Sequence, residues 1–104
     1  MAGERVQKLR ELLAKAPNDS MTRYMLANEL FKNAHYEEAA DELEAYVGQD
    51  ADEGAAYRLL AEAYRRLNRL DQARWALRKG IDSARSHHHD GMADELEDRL
   101  KELG

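Results

Sequence analysis

Cysteine is absent from the 104 residues, proline occurs once, at Pro17, and glycine only six times. The first absence excludes disulfides, thiol catalysis and thiolate metal sites. The scarcity of proline and glycine leaves little to interrupt long helices. No apolar run approaches the roughly 20 residues a membrane span needs, and Met1 to Arg10 lack the apolar centre of a secretory signal. A cytoplasmic protein without a membrane segment is the expectation. No glycine-rich phosphate loop, nucleophile with an adjacent base, or pair of carboxylates set for acid–base work can be picked out. The chain is therefore read as a non-enzyme that needs no metal and no cofactor.

What is present is charge and apolar residues in helical proportion, 36% and 43% of the chain. That profile belongs to an ordered helical domain, with no strand expected. One domain of this length buries roughly 60–65% of the surface of its unfolded chain, enough to fold without staples. The net charge of −5 argues against nucleic acid as a partner. Its distribution is uneven: +1 over residues 1–19, −7 over 20–53, +5 over 54–87 and −4 over 88–104.

A pattern spanning Leu26 to Val47 returns from Leu60 to Ile81. Leu26 answers to Leu60, Ala27 to Ala61, Leu30 to Tyr64, Tyr36 to Leu70, Ala39 to Ala73, Leu43 to Leu77 and Val47 to Ile81, each 34 residues apart. Self-similarity at that period marks stacked helical hairpins, each burying its apolar face against a neighbour. Val6, Leu9, Leu12 and Leu13 place a first helix over about 4–15, ended by Pro17. Asn18, Asp19 and Ser20 supply N-cap chemistry for a second helix over about 19–33. Ala34 and His35 turn the chain into a third, which starts near Tyr36, carries Glu37 and Glu38 in its first turn, and closes at Gly48 as a left-handed cap. A short acidic linker, Gln49 to Glu53, precedes a fourth helix over about 53–67, and Asn68 turns the chain. Asp71 caps a fifth helix to about 86, and Gly80 inside it predicts a close neighbouring helix. After a turn at His87 to Gly91, a sixth helix from Met92 to Leu103 closes the stack as a solubilising cap.

With Leu26-Ala27, Leu30, Ala39 and Leu43 in one copy and Tyr57, Leu60-Ala61, Tyr64, Ala73 and Leu77 in the other, the chain resembles the tetratricopeptide repeat family. Pro17-Asn18 matches the proline that closes a preceding repeat. The resemblance implies an all-α, right-handed solenoid of about six helices in a single domain: a half-repeat helix (1–19), repeat 1 (20–53), repeat 2 (54–87) and a C-terminal capping helix (88–104). Arg23 stands where the family has an aromatic, Tyr46 where it has a small residue, and Ala51 replaces the inter-repeat proline. In this family the first helix of each repeat lines a concave groove that holds partner segments. By that resemblance Met21, Tyr24, Asn28, Phe31 and Lys32 in repeat 1, and Arg58, Glu62, Arg65 and Arg66 in repeat 2, form the groove wall. Aromatic area plus bidentate guanidinium chemistry suits an acidic or carboxylate-ended protein or peptide. Phe31 has no evident core slot by periodicity, which favours the groove over a set of arginines that only solvate a helix face and pair with Glu62. Of the family's clamp for chaperone C-terminal carboxylates, only Asn28 is matched: Tyr24 and Leu59 stand where clamp residues belong.

Trp75 has Asp41 as its counterpart one repeat earlier, which puts it on the outer side of its helix. It is either covered by the C-terminal helix or, if exposed, an oligomer or partner contact. The acidic first repeat and basic second repeat would complement each other between molecules, as a two-fold dimer or a head-to-tail stack. A homo-oligomer formed through the Trp75 face is therefore the alternative to a groove-binding adaptor or scaffold. His87, His88, His89 and Asp90 carry metal-ligand chemistry, but adjacent histidines cannot all point at one ion, so a solvated turn is preferred to a weak surface site for nickel or zinc.

Overall fold

Runs of good helix formers, interrupted only at short turns, give six α-helices among the described residues: α1 (Ala2–Lys15), α2 (Ser20–Lys32), α3 (Tyr36–Gln49), α4 (Ala55–Arg66), α5 (Leu70–Ser86) and α6 (Asp90–Leu103). The computed structural model describes residues 2–49 and 54–104. Residues 50–53 of the expected linker, with Ala51, lie outside the described residues.

Three turns share one design. Ala34, Asn68 and His88 have φ of 62°, 59° and 61°. In each turn the next amide donates back to a carbonyl five residues earlier, His35 N to Leu30 O, Arg69 N to Tyr64 O and His89 N to Ala84 O, all at 2.8 Å. This left-handed helix cap satisfies carbonyls that the helix end leaves open. At the other boundary Asp19 is the N-cap of α2, accepting from the Thr22 amide at 3.3 Å and from its hydroxyl at 2.8 Å.

Each helix packs mainly on its neighbours in sequence, the arrangement expected of a repeat stack. The larger core cluster runs from Ala27 through Leu43, Leu60, Tyr64 and Leu77 to Leu96; a smaller one at the N-terminal end joins Val6 and Leu9 to Leu26, Leu30 and Ala39. Ion pairs tie alternate helices together. Arg10 reaches Glu38, linking α1 to α3; Arg69 lies 3.1 Å from Glu37, linking the start of α5 to the start of α3. Arg58 lies 2.8 Å from Glu95, linking α4 to α6. The odd helices thus form one layer and the even helices the other.

Gly80 does bring helices close. A Cβ built there would lie 2.9 Å from both Tyr57 Cβ on α4 and Leu96 Cδ1 on α6. Its counterpart in the first repeat, Tyr46, instead packs its ring on Tyr24 at 5.0 Å. Arg23, standing where the second repeat has Tyr57, reaches Glu42 at 3.2 Å and the Pro17 carbonyl at 3.0 Å. The ion pair ties α2 to α3, and the hydrogen bond joins the end of the half-repeat to repeat 1.

Several expectations are corrected. Gly48 is not a left-handed cap: it lies within α3, which continues to Gln49. Asp71 is not a cap either. Arg69 takes that position, and the Asp71 carboxylate accepts from Arg74 in the first turn of α5. Leu12, grouped with the apolar face of α1, is 47% exposed. Asp90 and Gly91 belong to α6 rather than to the turn before it.

Candidate functional site

The periodicity that buries Leu60, Ala61 and Tyr64 turns Arg58, Glu62, Arg65 and Arg66 to one side of α4. The four side chains are already engaged. Glu62 accepts from Arg65 Nε at 2.9 Å and from Arg66 Nε at 3.1 Å, with a second bond from Arg65 Nη2. The Arg65 hydrogen bond holds the Glu62 carboxyl below its ordinary range, against partial burial, with Arg66 adding to the effect. Glu62 in turn raises Arg65. Arg66 also donates to the Tyr36 hydroxyl at 3.0 Å and lies over its ring, 5.6 Å from the centroid. Arg58 Nη1 donates to Glu95 at 2.8 Å. The wall is therefore not an unpaired basic surface.

On α2 the expected groove residues scatter. Met21 is 67% exposed, whereas Tyr24 is half-buried against Tyr46 and the larger core. Asn28 spends its side-chain amide on the Tyr24 carbonyl at 3.0 Å, so the single match to the carboxylate clamp is committed to its own helix. Phe31 does have a core slot, contrary to the periodicity argument. It packs against both core clusters and meets Tyr36 edge-on at 5.1 Å. Lys32 is exposed, 3.7 Å from Glu29.

A cleft does form on α4, but its opposite wall comes from the last helix. It measures about 700 Å³, with Ala61, Leu70, Leu77 and Leu103 supplying apolar lining and Arg58, Glu62, Arg65, Arg99 and Glu102 supplying charge. Of the expected groove residues the structure thus brings Arg58, Glu62 and Arg65 together, and joins to them Arg99, Glu102 and Leu103 of α6. Those three were missed because a step of 34 from Leu60 and Tyr64 lands on Asp94 and Asp98, which are exposed, whereas the apolar residues of α6 that reach the core are Leu96 and Leu100. The slip of two residues hid that opposite wall inside what reads as a cap. An apolar floor rimmed by guanidiniums and carboxylates can seat an aliphatic side chain while exchanging ion pairs at its mouth, where each pair contributes only about 0.2–1 kcal/mol.

Elsewhere, Trp75 is 44% exposed and meets Tyr57 of α4 edge-on at 6.5 Å between centroids. His87, His88 and His89 divide the work of one turn: His87 closes α5 and places Nδ1 2.8 Å from the Ser83 carbonyl, His88 is the left-handed residue, and His89 precedes α6. Among the described residues no three His, Cys, Asp or Glu side chains converge as a metal site, and no helix is long and apolar enough to cross a membrane.

The tetratricopeptide repeat family matches residues 1–84. Among curated proteins none matches the chain.

Proposed function

The chain belongs to the tetratricopeptide repeat family, and we propose that it works as a protein-interaction adaptor whose contact site is the cleft between α4 and α6. The observation that carries this reading is the combination in one cleft of an apolar floor, Ala61, Leu77 and Leu103, with three guanidiniums, Arg58, Arg65 and Arg99. A partner segment that suits it carries an aliphatic side chain for the floor and carboxylates for the rim. Those carboxylates compete with Glu62 and Glu95 for Arg65 and Arg58, an exchange between like pairs that costs little. What the segment then gains is apolar burial, about 25 cal/mol per Å² removed from water, together with bidentate guanidinium geometry. Tyr24 and Phe31 support the cleft from the neighbouring hairpin through the core rather than by touching the segment.

The test is capture from a lysate by immobilised wild-type protein beside an Arg58→Gln, Arg65→Gln variant of confirmed helicity, with eluates compared by mass spectrometry. Glutamine removes the charge without forcing two carboxylates together at Glu62 or Glu95. A partner held by the wild type and lost by the variant supports the cleft. Equal capture by both would remove it.

A further inference from the structure

The odd-helix layer presents two exposed faces to solvent. On α3 the solvent side carries Asp41 and Glu44, both exposed; on α5 it carries Trp75, Arg78 and Lys79, also exposed. Among the described residues Asp41, Glu44, Arg78 and Lys79 have no ion-pair partner, although most other charges of these two helices do. The positions correspond: Trp75 is the counterpart of Asp41, and Arg78 of Glu44, each 34 residues on. The Glu37–Arg69 ion pair holds the starts of α3 and α5 side by side, so corresponding residues stand at similar heights along parallel helices.

That register makes the surface complementary to itself. A two-fold axis running along the helices, between α3 and α5, lays α5 of each copy on α3 of the other and keeps the heights. The repeats of the two copies then run in opposite directions. We propose that this outer face is a homodimer surface, on which Trp75 of each copy packs at Asp41 of the other and Arg78 and Lys79 pair with Glu44, every contact made twice. The indole N–H is a donor that a carboxylate satisfies, and a guanidinium on a carboxylate is the strongest of the ordinary ion pairs. A second copy is the occupant because it is the partner that presents an acidic helix and a basic, tryptophan-bearing helix at this spacing in the reversed order. Only one face of two helices from each copy meets the other, so the dimer belongs to the small, weak class of interfaces. This surface lies on the layer opposite α4 and α6, and the proposal stands or falls independently of the cleft.

Sedimentation of the full chain up to about 0.5 mM, well into the range where a small interface associates, tests it with two charge-reversed variants. One is Arg78→Glu, Lys79→Glu; the other is Asp41→Lys, Glu44→Lys. All four positions are exposed, and circular dichroism checks that helicity is kept. The wild type should move from 11.9 kDa toward twice that mass as concentration rises. Each variant alone should associate about tenfold or more weakly, because like charges now face each other twice. An equimolar mixture of the two should recover wild-type association as a one-to-one heterodimer, since every α5–α3 contact is again between opposite charges. Trp75→Ala should weaken the dimer while leaving helicity unchanged. A wild type that stays monomeric throughout, variants that self-associate as the wild type does, growth past the dimer, or a mixture that fails to pair would each overturn the proposal.

Discussion

Replacing a glycine by alanine inside an exposed helix normally stabilises a protein, by about 0.5–1 kcal/mol, because the unfolded chain loses freedom and the helix gains a better former. At Gly80 the opposite outcome is expected. The position is mid-α5 and buried, and an added Cβ would sit 2.9 Å from Tyr57 Cβ and 2.9 Å from Leu96 Cδ1. Leu96 Cδ1 is a side-chain end, but Leu96 has no solvent exposure into which it can turn. Tyr57 Cβ is fixed to the α4 backbone and yields only if the helix moves. Forcing a methyl into such a site costs about 1–3 kcal/mol, so the net expectation for Gly80→Ala is a loss of about 1 kcal/mol. For a domain of this size each kcal/mol corresponds to roughly 4–8 °C in melting temperature. Gly48→Ala is the control. It lies in the last turn of α3 with nothing among the described residues within 4 Å of an added Cβ, so it should hold or raise the melting temperature. Thermal denaturation followed by circular dichroism reads both variants. If Gly80→Ala melts higher than the wild type, the close approach of α4, α5 and α6 is wrong, and with it the position of the α4–α6 cleft.

Other expectations rest on different parts of the molecule. Ala34→Gly relieves a left-handed alanine at φ 62° and should stabilise by about 1 kcal/mol in chemical denaturation; a loss would mean that the turn is not left-handed. Leu60→Ala truncates a side chain with no exposure at the centre of the larger core and should cost about 2–5 kcal/mol, so a shift of a few tenths would contradict the packing. Glu62 has its folded value depressed, chiefly by the Arg65 hydrogen bond. Its contribution to stability is then fully present above its ordinary value of 4.5 and is lost as pH falls through the lower folded value. Glu62→Gln should therefore melt below the wild type at neutral pH, and the gap should close in acid; a gap independent of pH would refute the ion-pair account.

How far the sequence was legible depends on which periodicity a residue obeys. The offset of 34 placed Leu26, Ala27, Leu60, Ala61, Ala73 and Leu77, and all six are buried. Asn68 was legible because its type tolerates a left-handed turn, and Gly80 because glycine is costly mid-helix. Gly48 misled for the same reason: helix-end glycine usually caps, but α3 runs through it without leaving the right-handed region. Phe31 was misjudged because a two-cluster core gives a bulky residue between clusters a slot that one repeating stripe does not predict. Arg99, Glu102 and Leu103 were invisible because the offset slips by two residues before α6. The arginine wall was recognisable, but its pairing with Glu62 and Glu95 was only half so. Glu62 lies three and four residues from its partners, a spacing that neighbours on a helix share, whereas Glu95 is 37 residues from Arg58 and meets it only through the tertiary fold.

Docking of a partner segment between α4 and α6 can be tested directly. A peptide selected by display against the immobilised wild-type protein, titrated into the ¹⁵N-labelled chain and followed by amide chemical shifts, addresses it residue by residue. The largest shifts should fall on the amides around Arg58, Glu62, Arg65, Arg99 and Leu103, with little change near Asp41 and Trp75. Shifts centred on the outer faces of α3 and α5, with the α4–α6 amides unmoved, would contradict it.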